Sequence, residues 1–164
     1  MNADVTLADQ RLKTLFDRTF QNEEFAGHLE WVSVEWMNEM RNPHAGNIGD
    51  LGRDGNFKHV PLEQLWDDLL AKGMADPLVI SAGITDGRAR LDSGNHRIQT
   101  YLSNGILVAP AVCVVGDDVV VTEGNGSHLG REATIHKDAA QYKGKFVSPS
   151  KVLPTCPSIP FNGF

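Results

Sequence analysis

Leu12, Leu15, Phe16 and Phe20 recur at helical spacing with Asp and Arg between them, so residues 7–20 are expected to form an amphipathic helix. The period then changes. WVSVEW, at 31–36, alternates strictly, sending Val32, Val34 and Trp36 to one face and Trp31, Ser33 and Glu35 to the other, which predicts a strand. Residues 41–60 keep neither period, and glycines at 46, 49, 52 and 55 among polar residues predict a long mobile loop. A helix follows: Pro61 suits the first helical position, Leu62, Leu65, Trp66 and Leu69 make one apolar stripe, and Gly73 stands where it should stop.

PLVIS at 77–81 and RARLD at 88–92 flank Asp86-Gly87, a pair that tolerates positive φ, and predict a β-hairpin. After SGNHR comes a short helix with Ile98, Tyr101 and Leu102 inward, ended by Asn104-Gly105, and then an apolar strand at 106–115. Gly116-Asp117-Asp118 is read as a turn into a strand at 119–122, GNGSHLG as loop, and 133–143 as weakly helical. Pro149, Pro154, Pro157 and Pro160, four of the eight prolines, crowd the last sixteen residues, where they disfavour helix and predict an extended arm. The organisation expected is a helical extension at 1–30, one domain at 31–147 and a proline-rich arm at 148–164.

Composition narrows the picture. A chain of 164 residues suits a single domain, and 41% hydrophobic with 22% charged residues is the balance of a soluble globular protein, with Trp31, Trp36 and Trp66 as large core pieces. A net charge of -6 argues against a broad non-specific grip on nucleic acid, which needs many cations, although a local basic cleft stays open. Cys113 and Cys156 are far apart and outside any CxxC pattern, so neither a disulfide framework nor a zinc site is indicated. No apolar run approaches the roughly 20 residues of a membrane span, and a cytoplasmic location is expected.

The chemistry concentrates in LDSGNHRIQTYLSNGI, where a strand ends and a helix begins at a glycine among polar and basic residues. Unpaired N–H groups and about half a positive charge at a helix N-terminus attract phosphate or carboxylate. There Gly94 lets an anion approach, Ser93 offers a hydroxyl, Asn95 sits between, His96 brings an imidazole, and Arg97 adds a planar fork of donors. The same residues have a plainer reading, with Ser93 or Asp92 capping the helix, His96 bonded to a carbonyl and Arg97 in an ion pair. His28, His44, His59, His128 and His136 show no HExxH or comparable ligand spacing.

Taken in order, VSVEW, PLEQLWDDLLAKGMADPLVI, RARLDS and GNHRI over residues 31–115 resemble the core of the ParB/sulfiredoxin superfamily. The resemblance implies an α/β (α+β) fold, a small mixed sheet with flanking helices and a strand-GNHR-helix phosphate site holding ATP or CTP with Mg²⁺. It departs in three places: Asn95 stands where sulfiredoxins carry their reactive cysteine, the expected helical lysine is replaced within Pro61, Leu62 and Glu63, and only about fifty residues follow the core. Sulfinic-acid reduction and centromere clamping are therefore not expected. The chain looks closest to compact single-domain members, either free-serine kinases or fertility-inhibition proteins of the Osa type, on a phage, plasmid or other mobile element.

Phosphoryl transfer relies on positioning and charge neutralisation, which makes Asp92, Glu35 and Glu39 candidate catalytic carboxylates beside His96, with Asp92 and Glu35 as Mg²⁺ ligands. Arg53 and Lys58 on the glycine-rich loop are candidates to close over the nucleotide. The expected function is nucleotide hydrolysis, phosphoryl transfer or DNA phosphodiester cleavage. The competing expectation is a non-catalytic assembly protein whose arm at 149–164 docks on a protein partner.

Overall fold

The computed structural model describes residues 16, 25, 27–40, 62–72, 77–93, 95–118 and 133–160, without the side chains of 62, 63, 72, 92, 93, 95, 96 and 133. In chain order the elements are β1 (Glu30–Ser33), α1 (Val34–Met40), α2 (Leu62–Lys72), β2 (Leu78–Gly83), β3 (Arg88–Ser93), α3 (Asn95–Ser103) and β4 (Val108–Gly116). There follow β5 (Ala133–Thr134), a 3₁₀ turn (Ala139–Tyr142), β6 (Phe146–Val147), α4 (Pro149–Val152) and β7 (Ser158–Pro160). Among the described residues seven strands make one mixed sheet in the order β5-β3-β2-β4-β1-β7, and β6 also pairs with β4. Of these described pairings β2 with β4 is parallel and the others are antiparallel.

Alternation along the central strands assigns their two faces. Leu78, Ile80 and Ala82 of β2 and Ala109, Ala111, Cys113 and Val115 of β4 join the main core with Met37, Ile98 and Tyr101 from the helices. Val79 and Val112, directly paired across β2 and β4, point the other way and pack with Phe25, Leu29 and Phe146. Phe25 and Phe146 meet edge to face at 5.0 Å. β4 is thus buried on both sides, which explains why its sequence is an apolar run rather than an alternation.

The hairpin of β2 and β3 forms as expected, with Gly87 at φ 70° in its turn. WVSVEW does not stay a strand. Ser33 caps a helix by accepting the Trp36 N–H at 3.1 Å, and Val34, Met37 and Met40 become its buried stripe. The three-residue spacing of those apolar positions overrides the short alternation, so Glu35 and Glu39 lie on an exposed helical surface and not at a strand end. In α3 the buried arc runs through Ile98, Tyr101, Arg97 and Thr100, leaving Leu102 on its outer side at 40% exposure rather than inward.

The C-terminal region differs most from expectation. Residues 133–143 give a short edge strand and a 3₁₀ turn instead of a helix. Residues 149–160 are not a free arm: Pro149, Val152 and Leu153 are buried, and β7 pairs with β1. The prolines sit where they cost little, Pro149 at the start of α4 and Pro160 at the end of an outer strand. The expected helix at 7–20 lies outside the described residues except for Phe16, which is helical and packs against Trp31 and Tyr101. The glycine-rich loop and the strand at 119–122 also lie outside them.

A buried carboxylate ties this C-terminal segment down. Glu30, only 7% exposed, accepts hydrogen bonds from both the N–H and the Oγ of Ser150, each at 2.6 Å. Glu30→Ala is expected to lower the unfolding free energy by about 3 kcal/mol, the scale of two bonds to an ionised group, with Glu30→Gln intermediate. Urea unfolding monitored by tryptophan fluorescence checks this, and unchanged midpoints would remove the clasp.

Candidate functional site

The site predicted from sequence lies at the passage from β3 into α3, and the strand registers fix where that passage is. Ser93 at the end of β3 pairs with Val79 near the start of β2, while Leu78 pairs with Ala111 of β4. At the same end of the sheet β1 finishes, with Ser33 opposite Val108. Two strands therefore deliver two helix N-termini, those of α1 and α3, to one end of the sheet.

Between Ile80↔Leu91 and Val79↔Ser93 the register slips by one residue, which makes Asp92 the extra residue of a β-bulge. Such a bulge bends and twists its strand and recurs next to functional sites because it re-aims the backbone. The hydrophobic pattern gave no sign of it. Ser93 is the last residue of β3, and Asn95 and His96 open α3; Gly94 and the side chains of Asp92, Ser93, Asn95 and His96 lie outside the described set.

Arg97, in the first turn of α3, is half-buried. Its Nη2 donates to the Pro77 carbonyl at 3.4 Å, at the entrance to β2, and its guanidinium hydrogen-bonds the Tyr101 side chain one turn along. The guanidinium is thus held at the end of the sheet where α3 begins, with its stem inside the buried arc. The first turn of α3 contains no acidic residue, whereas α1 has Glu35 in the corresponding place. An N-terminal turn bearing a cation and no carboxylate opposes the helix dipole, an arrangement that a bound anion relieves.

Glu35 stands in the first turn of α1 at this same end of the sheet; Glu39, one turn on, is displaced by about 6 Å along the helix axis. Both are exposed. Among the described residues no three His, Cys, Asp or Glu side chains gather as a metal site. Arg53 and Lys58 lie outside the described residues. Thr100, which carries no signal in the sequence, is fully buried, and among the described residues its Oγ1 has no hydrogen-bond partner.

Burial pushes the Tyr101 hydroxyl up to about 12, against the opposing charge and hydrogen bond of Arg97. Burial likewise raises both free thiols, Cys113 in β4 and Cys156, the latter to about 12. No family model, curated protein or solved structure matches the chain. Among the described residues no helix is long and apolar enough to cross a membrane.

Two measurements follow from this geometry. Thr100→Val, nearly isosteric, is expected to raise stability by about 1 kcal/mol by removing a buried hydroxyl without a partner, read from urea midpoints. Unfolded tyrosine ionises near pH 10 while folded Tyr101 keeps its proton to about 12, so its contribution, complete below pH 10, is lost as pH rises towards 12. Tyr101→Phe, with no proton to lose, should show a shallower alkaline decline in melting temperature across that window.

Proposed function

We propose that the chain binds a nucleoside triphosphate, ATP or CTP with Mg²⁺, at the β3–α3 passage and acts on a phosphate bond as a compact ParB/sulfiredoxin-like protein. The reaction class is nucleotide hydrolysis, phosphoryl transfer or DNA phosphodiester cleavage, in keeping with the Osa or free-serine-kinase type of a mobile element. The observation that carries this reading is the first turn of α3, where a half-buried arginine stands at a helix N-terminus in a turn that itself contains no acidic residue. The order from β1 to β4 is strand, two helices, hairpin, helix, strand, and apart from the added α1 it is the order that the sequence resemblance implies, which also supports the reading.

The role of each residue follows from its position. Backbone N–H groups at the start of α3 take phosphate oxygens. The Pro77 carbonyl and the Tyr101 side chain orient the Arg97 guanidinium at the start of α3. Mg²⁺ usually keeps several waters and takes only one or two protein carboxylates alongside nucleotide phosphates. Asp92 in the bulge and exposed Glu35 are the pair for that task, with His96 available for proton transfer. The assembly-protein alternative rests on a C-terminal arm, and residues 149–160 are packed on the domain, with Ser150 bonded to Glu30 and β7 paired with β1.

Titration calorimetry with ATP and CTP in Mg²⁺ tests the reading. Wild type is expected to bind one of them, Arg97→Ala to lose at least about tenfold, equal to 1.4 kcal/mol, and Arg97→Lys to fall between. Failure of wild type to bind either nucleotide would end the proposal; equal binding by folded Arg97→Ala would end the site assignment. Phosphate release and plasmid nicking, each compared with Asp92→Ala, then separate the three reaction classes.

A further inference from the structure

The C-terminal segment holds β1 along its whole length. The Glu30 carboxylate accepts both bonds from Ser150, and Glu30, Trp31 and Val32 pair with Pro160, Ile159 and Ser158 of β7. One residue further on, the Ser33 N–H donates to the Pro157 carbonyl at 3.1 Å.

Ser33 is where this hold passes into α1. Its N–H is bonded to the C-terminal segment, while its Oγ accepts the Trp36 N–H and so caps the first helical turn. The next residue is fixed from the β4 side, since the Val34 N–H donates to the Leu107 carbonyl at 3.0 Å. Val34, Met37 and Met40 hold α1 against the core, and Ser33 sets where its first turn begins. Glu35 in that turn is exposed, so the placing of its carboxylate depends on the backbone beneath it.

We infer that residues 149–160 are a positioning segment for the nucleotide site: through Glu30 and Ser33 they fix the first turn of α1, and with it the Glu35 carboxylate assigned to Mg²⁺. The inference rests on the reading of the site proposed above and adds to it a support far along the chain. Arg97 is held differently, by the Pro77 carbonyl at the entrance to β2 and by Tyr101 within α3. The two sides of the site thus have separate supports, β1 with the C-terminal segment for the carboxylate and β2 with α3 for the guanidinium. Loosening the clasp disturbs the first and spares the second.

Ser150→Ala loosens the clasp mildly, because it removes the hydroxyl bond to Glu30, keeps the N–H bond and, at an exposed residue, opens no cavity. Amide exchange followed by NMR on the full chain without ligand reads the support directly. In Ser150→Ala the Trp36 N–H is expected to exchange at least about fivefold faster, the low end of coupling between distant sites, with the Tyr101 N–H unchanged. Ser150→Thr, which keeps the hydroxyl, should exchange as wild type does. Calorimetry with ATP and CTP, with and without Mg²⁺, reads the consequence. Ser150→Ala should lose at least about fivefold of the affinity gained from Mg²⁺ and keep the Mg²⁺-free affinity. In a Glu35→Gln background the same substitution should change neither, because the carboxylate it acts through is gone.

The inference is overturned if Trp36 N–H exchange is unchanged in Ser150→Ala, if Ser150→Thr behaves as Ser150→Ala does, or if Mg²⁺-free affinity falls equally, which marks a general loosening. It is overturned too if the effect of Ser150→Ala persists in Glu35→Gln. Wild type that binds neither nucleotide ends both the site reading and this inference, whereas wild type that binds, with Ser150→Ala indistinguishable from it, ends this inference alone.

Discussion

Covering β4 on both faces is the constraint from which the architecture follows. A strand of nine residues with this apolar content cannot leave either face in water, so it needs one layer against Ala111, Cys113 and Val115 and another against Val112. The helices supply the first, and Phe25, Leu29 and Phe146 contribute to the second. Its edges are consumed as well, by β2 on one side and by β1 and then β6 on the other. That demand draws the proline-rich C-terminal segment into the domain, because β6 immediately precedes it and Glu30 on the neighbouring strand anchors Ser150 within it.

The same packing creates the electrostatic anomaly at the β3–α3 passage. Ile98 and Tyr101 must face the sheet, and helical geometry then sets Arg97 within the buried arc, where the Pro77 carbonyl and the Tyr101 side chain hold it. Placing a cation at the positive end of a helix works against stability. Violations of a local rule concentrate where function demands them, and here the violation coincides with a bulge that turns the backbone into the helix. Fold and proposed chemistry thus meet at one end of the sheet.

The sequence by itself determined the elements whose periodicity was long or whose punctuation was strong. These were the stripe of α2, the hairpin around Asp86-Gly87, the helix that stops at Asn104-Gly105 and the apolar run of β4. It also located the β3–α3 passage, since a glycine between a strand and a polar helical turn is a local signal. Only the tertiary structure decided the rest. Val34 became helical because Met37 and Met40 shared its buried face, Leu102 stayed outside because the helix is rotated toward Arg97 and Tyr101, and β6 and β7 joined the sheet because β4 and β1 had edges to fill. Those outcomes depend on partners distant along the chain, and a local pattern carries no information about which buried face or open edge is waiting elsewhere.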